Sequence, residues 1–177
     1  MKTLYLIGGT IGVGKTSACR ALQQLLPNSV FLDGDWCWNI HPFQVTEETK
    51  ALVLDNICYL LNRFLRCSLV ESVIFCWVMD LQSTLDEILS RLDTSDCTVK
   101  SISLVCHPEV LLKRLQKDVD EGLREPDILE RAPARLSRYG ALDTVKLDVS
   151  ASTPQEVAMQ IAAQQTGCAM MGGRDSP

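Results

Sequence analysis

One glycine-rich run near the start of the chain strongly limits how the surrounding residues can fold. Residues 9–16 read G-T-I-G-V-G-K-T, a complete match to the pattern G-x-x-x-x-G-K-[ST]. Glycines let the backbone curl so that its N–H groups point inward at phosphate oxygens. The lysine brings a compact positive charge to the terminal phosphates, and the threonine hydroxyl can coordinate Mg²⁺. We therefore expect the phosphates of a nucleotide to be bound by Gly9, Gly12, Val13, Gly14, Lys15, Thr16 and Ser17.

The flanking residues predict the strand and the helix that such a loop requires. Residues 3–7 form a short apolar run, typical of a buried strand, and they end at two glycines. From Lys15 to Leu26, apolar residues recur at helical spacing until Pro27 ends the pattern. The positive end of this helix dipole would face the same phosphates. In this context a chance glycine-rich turn is the weaker interpretation.

The remainder of the chain alternates between apolar runs and amphipathic segments. Further strands are predicted at 29–32, 72–78, 99–106 and 145–149. Helices are predicted at 46–67, 83–92, 108–121 and 154–165. Such alternation indicates an α/β protein in which helices cover both faces of a five-stranded parallel sheet, a three-layer α/β/α domain over residues 1–166. Residues 167–177 are mostly small, and we expect them to be a disordered tail.

Composition excludes several classes of protein. The net charge of −5 argues against a protein that coats nucleic acid, and no apolar run approaches the roughly 18 residues that a membrane span needs. None of the eight cysteines forms a C-x-x-C pair, which favours free thiols in a reducing compartment. We expect a cytoplasmic monomer or homodimer with neither nucleic-acid nor membrane partners.

Two aspartates follow the second predicted strand, at the sheet edge where the glycine-rich loop lies. Asp33 and Asp35 are two residues apart, so on an extended segment their carboxylates would point to the same side. One can hold Mg²⁺, and the other can accept a proton from a substrate hydroxyl. We favour Asp33 for the metal role, which Thr16 could share. Asp80, after the third strand, competes for the metal role but would equally cap the next helix.

Residues 122–139 are rich in arginine and contain two prolines and little apolar periodicity. They predict a mobile arginine-bearing lid, because arginine stabilises charge on a transferring phosphoryl group and a closing segment excludes water. We expect one or two of its arginines to reach the phosphates or the substrate, the candidates being Arg124, Arg131, Arg135 and Arg138. Just past the acid pair, Trp36, Trp38 and Phe43 would either line a substrate pocket or form core beneath the loop.

The elements that define GTPases are missing from the sequence. No glycine has an aspartate three residues before it, so D-x-x-G is absent, and the K-L-D at 146–148 lacks the asparagine of N-K-x-D. The chain instead resembles the small P-loop kinases, which include shikimate kinase, gluconate kinase, adenylylsulfate kinase and chloramphenicol phosphotransferase. The matching residues are G-G-T-I-G-V-G-K-T-S at 8–17, F-L-D-G-D at 31–35, Arg135 four residues before Tyr139, and L-D-V-S-A-S-T-P-Q-E-V from 147.

This resemblance implies a P-loop NTPase fold that uses ATP and Mg²⁺. It assigns ATP binding to Lys15 and the loop, Mg²⁺ to Thr16 and Asp33, and activation of the acceptor hydroxyl to Asp35. It also assigns the phosphates or substrate to Arg124 and Arg135, with Arg131 as the alternative to Arg135.

The resemblance does not identify the acceptor. The glycine-rich substrate loop that shikimate kinases carry after the third strand is replaced by Cys-Trp-Val-Met at 76–79. The expected function is therefore an ATP-dependent phosphotransferase acting on a hydroxyl or phosphate of a small molecule. A non-catalytic ATP-binding switch protein and a simple NTP hydrolase are the alternatives.

Overall fold

A computed structural model of the chain describes residues 1–164, so the predicted tail lies outside the described residues. The strands are β1 Lys2–Gly9, β2 Ser29–Asp33, β3 Ser72–Trp77, β4 Cys97–Val105 and β5 Val145–Asp148. The α-helices are α1 Lys15–Leu25, α2 Glu47–Arg66, α3 Gln82–Ser90, α4 Pro108–Asp120, α5 Ile128–Leu136 and α6 Pro154–Ala163. Two short 3₁₀ segments span Gly34–Trp38 and Ser137–Ala141.

All five strands pair in parallel, in the order β2-β3-β1-β4-β5. Successive side chains of the central strand point to opposite faces, so β1 contributes to two separate cores. Tyr5 and Ile7 pack with α1, α4 and α6, whereas Leu4 and Leu6 pack with α2 and α3. Helices therefore cover both faces of the sheet, which confirms the predicted three-layer α/β/α fold.

Helix caps account for where two of the predicted helices, α2 and α6, begin. Thr46 precedes α2 and forms a capping box with Thr49, and two glutamates occupy the first turn, where the helix dipole favours negative charge. Before α6, the Thr153 hydroxyl accepts from the Glu156 backbone N–H at 3.3 Å. The Glu156 carboxylate in turn accepts from the Thr153 N–H at 2.7 Å. Both boundaries follow from local sequence, since each cap satisfies N–H groups that the helix cannot.

The arginine-bearing segment is more regular than its sequence predicts. Half of it forms α5, which buries Ile128 and Ala132, and the following 3₁₀ segment buries Tyr139 completely. Ile128 and Ala132, four residues apart, are enough to give this helix one buried face. The Thr10 hydroxyl donates to the Ala132 carbonyl at 2.9 Å and so fastens this helix to the glycine-rich loop.

Among residues 1–164, no helix combines the length and the apolar character needed to cross a bilayer.

Candidate active site

The glycine-rich loop leaves the carboxyl end of β1 and leads directly into α1. Gly12 and Gly14 adopt φ angles of 83° and 106°, in the left-handed region that favours glycine. Gly14 immediately precedes α1, whose first N–H groups have no partners within the helix. The turn therefore directs free N–H groups and the positive end of a helix dipole into one concavity, an arrangement that binds anions.

Lys15 stands at the base of this concavity and is only 9% exposed. Its Nζ donates to the Thr10 carbonyl at 3.1 Å, which holds the side chain back along the loop. Burial lowers the pKa of Lys15, and neighbouring acidic groups, Asp35 and Asp33 among them, oppose that shift. A phosphate in the concavity would pair its negative charge with this buried ammonium group.

Asp33 and Thr16 are in direct contact. The Thr16 hydroxyl donates to Asp33 Oδ2 at 2.7 Å, and Asp33 Oδ1 accepts from the Asp35 backbone N–H at 3.2 Å. Asp33 is the last residue of β2 and is buried. The contact places a hydroxyl and a carboxylate side by side at the mouth of the loop, as the assignment of both to one cation requires.

Asp35 lies in the 3₁₀ segment that follows β2, so the two aspartates do not share an extended strand. The geometry predicted for the pair was wrong in that respect, although the carboxylates remain neighbours. Burial raises the pKa of Asp35, the charge of Asp33 raises it further, and Lys15 opposes the shift. Asp35 is thus a carboxylate of increased basicity within electrostatic range of Lys15.

Asp80 occupies a different environment from the one predicted. The residue before α3 is Leu81, and the Asp80 side chain, 11% exposed, faces two arginines instead of capping that helix. Its Oδ2 lies 2.9 Å from Arg138 Nη1 and 3.8 Å from Arg135 Nε. Asp80 therefore ties the arginine-bearing segment to the end of β3, and it is Asp33 that contacts Thr16.

The other arginines differ in what they contact. Arg124 lines the same cleft as Lys15 and Asp35, and its Nε donates to Asp118 Oδ2 at 2.9 Å. Arg131 pairs with Asp127 at 2.8 Å within its own helical turn and lines a neighbouring cleft. The structure thus brings Arg124 to the cleft at the glycine-rich loop, whereas Arg135 lies beside Asp80.

Arg114 is part of this site but was missed from the sequence. Its guanidinium donates to the carbonyls of Val13 and Val149, each at 3.0 Å, and so joins the loop to the segment after β5. It also lines a second cleft beside the loop, together with Ser17 and Pro154. Within α4 it follows Lys113 and precedes Lys117, a pattern that resembles an ordinary solvated helix face.

A single cleft gathers most of these groups. It is lined by Ile11, Gly12, Gly14, Lys15, Thr16, Ser17, Asp35, Arg114, Lys117, Asp118 and Arg124. Its cations and free N–H groups suit a polyphosphate, and the Asp35 carboxylate borders the same cleft. Within residues 1–164, no three or more His, Cys, Asp or Glu side chains are grouped so that they could hold a metal ion. A cation here would need phosphate oxygens as additional ligands.

Known structures share this fold over nearly the whole chain. The tunicamycin resistance protein of Deinococcus radiodurans superposes with a TM-score of 0.68 at 22% identity, covering 92% of this chain and 95% of its own. A gluconokinase from Sinorhizobium meliloti gives 0.64 at 19% identity, with coverages of 90% and 89%. Shikimate kinase from Aquifex aeolicus gives 0.56 at 19% identity, with coverages of 90% and 93%.

Sequence comparison identifies the family. No curated protein is significantly similar to the chain in sequence. The model of the AAA domain family, however, matches residues 6–131, well over half of the chain and including the whole glycine-rich loop. The chain therefore belongs to the AAA domain family, within the P-loop NTPases.

Proposed function

We propose that the chain is an ATP-dependent, Mg²⁺-assisted kinase that phosphorylates a hydroxyl or phosphate of a small molecule. The observation that carries the proposal is the pair of carboxylates beside the glycine-rich loop: Asp33 touches Thr16 while Asp35 lies within electrostatic range of Lys15. Phosphoryl transfer needs a phosphate cradle, a cation and an oriented nucleophile close together. Structures of the same fold that are named as gluconokinase, sugar kinase and shikimate kinase support the choice.

The oxygen donors at the loop fit Mg²⁺. Thr16 and Asp33 offer a hydroxyl and a carboxylate 2.7 Å apart, and Mg²⁺ commonly takes one or two such protein ligands together with phosphates and water. When bound, the ion would neutralise charge on the nucleotide phosphates. Asp33 is buried at the carboxyl end of β2, and this burial would keep its carboxylate in a fixed position for that role.

In this proposal each residue has a distinct part in the transfer. The loop N–H groups and Lys15 hold the terminal phosphates of ATP. Asp35 accepts the proton of the acceptor hydroxyl, and its raised pKa makes it a stronger base. The acceptor oxygen bonds to the γ-phosphorus, the bond from that phosphorus to the β–γ bridging oxygen breaks, and ADP leaves.

The arginines would stabilise negative charge on the phosphates and on the substrate. Arg124 would meet the phosphates when the segment at 122–139 closes as a lid, and Arg135 would bind the substrate or its phosphate. On this proposal the protein works in the cytoplasm as a monomer or homodimer, with a small-molecule phosphoryl acceptor as its partner and without nucleic acid or membrane.

Replacing Asp35 by Asn tests the proposal. The kinase should keep its affinity for ATP and lose about 10²- to 10⁴-fold in acceptor-dependent ADP release, because the base is gone and the phosphate cradle is intact. Lys15→Ala should weaken ATP binding itself. Asp96→Asn is a matched control. Asp96 immediately precedes β4, so it lies at the amino ends of the parallel strands, whereas the glycine-rich loop lies at their carboxyl ends. ATP affinity is measured by calorimetry, and ADP release with a panel of acceptors.

The alternatives predict different results in the same assays. A switch protein would bind ATP while no acceptor raised ADP release, and Asp35→Asn would change little. A simple NTP hydrolase would release phosphate at the same rate with and without an acceptor. Either outcome would contradict the kinase proposal.

A further inference from the structure

Aromatic side chains extend outward from the proposed base. Trp77, at the end of β3, packs directly on the backbone at Gly34, where an added Cβ would lie 2.6 Å from the Trp77 Cγ. Asp35 is the next residue after Gly34 and lies in the same 3₁₀ segment. Trp77 and Asp35 therefore border the same space.

Two further rings continue this surface towards solvent. The ring centroids of Trp38 and Trp77 are 6.2 Å apart, and those of Phe43 and Trp38 are 5.9 Å apart, with interplanar angles of 41° in both pairs. The Trp38 indole N–H donates to the Gln44 carbonyl at 3.2 Å, which fixes its ring. Phe43 is 68% exposed although it touches this cluster. We call Trp77, Trp38 and Phe43 the aromatic wall.

The charges around the aromatic wall do not suit an anion. Residues 34–49 contain no lysine or arginine. Arg135 and Arg138 lie nearby in the fold, but Asp80 is within ion-pairing distance of both. A carboxylate on the acceptor would have to compete with Asp80 for these two guanidinium groups, whereas an uncharged acceptor would not.

We propose that the acceptor is an uncharged molecule with a planar ring and a hydroxyl group, such as a nucleoside, and that its ring stacks on the aromatic wall. This inference rests on the proposed kinase function and names its substrate class. Stacking on Trp38 and Phe43 orients the ring, and the hydroxyl reaches Asp35. The hydroxyl proton passes to Asp35, the oxygen bonds to the γ-phosphorus of ATP, and ADP is released.

Binding is tested first and without catalysis. Two of the three tryptophans of the chain belong to the wall, so stacking should quench intrinsic fluorescence. Uridine should quench it saturably, and gluconate, which carries a carboxylate and no ring, should not. Phe43→Ala should weaken uridine binding about 5- to 100-fold, the usual range for loss of a ring that stacks on a base. Tyr59→Ala is the matched control, because Tyr59 is a comparably exposed aromatic on α2, 66% exposed and outside the wall.

Turnover is tested in parallel. Uridine or adenosine should raise ADP release above background, gluconate should not, and Phe43→Ala should raise KM for the nucleoside while KM for ATP stays constant. Asp80→Asn should leave the aromatic wall intact and remove the anion that pairs with Arg135 and Arg138. The rate of ADP release with gluconate should then rise relative to the rate with the nucleoside. This variant changes the charge selectivity, an effect that a purely structural role of Asp80 would not produce.

The outcomes separate the two claims. If gluconate is the better acceptor in the wild type, or if Phe43→Ala and Tyr59→Ala behave alike, the acceptor class is wrong while the kinase proposal stands. If nucleosides quench fluorescence but receive no phosphate, the kinase proposal fails while the wall is a ring-binding site. If no nucleoside either quenches fluorescence or raises ADP release, the inference is overturned.

Discussion

Gly12→Ala should destabilise the protein by an amount that the structure allows us to estimate. Gly12 has a φ of 83°, and an alanine held there costs about 1–2 kcal/mol. Its Cβ would also lie 2.5 Å from Leu115 Cδ2 and 3.0 Å from Leu115 Cγ. Because Leu115 is fully buried in α4, it has little room to move, and such overpacking costs about 1–3 kcal/mol. The sum is about 2–5 kcal/mol, or a fall in Tm of about 4–20 °C for a protein of this size.

Circular dichroism followed during heating, without nucleotide, measures this effect. Gly14→Ala is the matched control, because its φ of 106° carries the same backbone strain while open space surrounds the added Cβ. Its Tm should fall by only about 2–8 °C. In the double variant with Leu115→Ala, the new methyl at position 12 occupies space that the leucine vacates. The loss of unfolding free energy in the double variant should then be smaller than the sum of the losses in the two single variants by about 1 kcal/mol or more. A double-variant loss within about 0.5 kcal/mol of that sum would refute the packing argument.

Two further predictions concern charged residues of the site. Because Asp35 has a higher pKa folded than unfolded, the folded chain binds this proton more tightly, and stability falls as pH rises through the pKa. Asp35→Asn should therefore raise Tm at neutral pH, and the difference should vanish below about pH 4; a lower Tm at pH 7 would contradict this. Arg114→Ala removes hydrogen bonds to two carbonyls and should cost about 1–3 kcal/mol on thermal unfolding, whereas Lys113→Ala, on the exposed side of α4, should change little.

Most of the fold could be predicted from the sequence because its signals are local. The strand at 72–77 is an almost continuous apolar run, as a strand covered on both faces must be. The helix predicted at 46–67 is observed as Glu47–Arg66, since Thr46 and Thr49 form a cap that only local residues are needed to build. The glycine-rich loop could be predicted position by position, because phosphate binding requires those residue types.

The remaining features depend on contacts between distant residues. Arg114 lies 101 positions from Val13 and 35 from Val149, and neither contact leaves a trace in the pattern of α4. Helix α5 contains Pro133 and reads poorly as a helix, but its Ala132 carbonyl is held by Thr10, 122 positions away. Tertiary packing overrides local propensity at such places.

The turn after β2 was mispredicted for a related reason. An extended Asp-Gly-Asp was the simplest expectation, yet the Asp33 carboxylate accepts from the Asp35 N–H and starts a 3₁₀ turn. Trp77 also fills the space beside Gly34, so that a residue with a side chain would collide there. Only the pairing of β2 with β3 brings that ring close.

The most direct test of the account follows the fate of the γ-phosphate. ³¹P NMR of the protein with ATP, Mg²⁺ and a nucleoside acceptor distinguishes a new phosphate ester from inorganic phosphate. The account predicts one phosphate ester for each ADP formed, with little inorganic phosphate, and loss of both products in Asp35→Asn but not in Asp96→Asn. Inorganic phosphate in step with ADP, at a rate that the acceptor does not change, would contradict it.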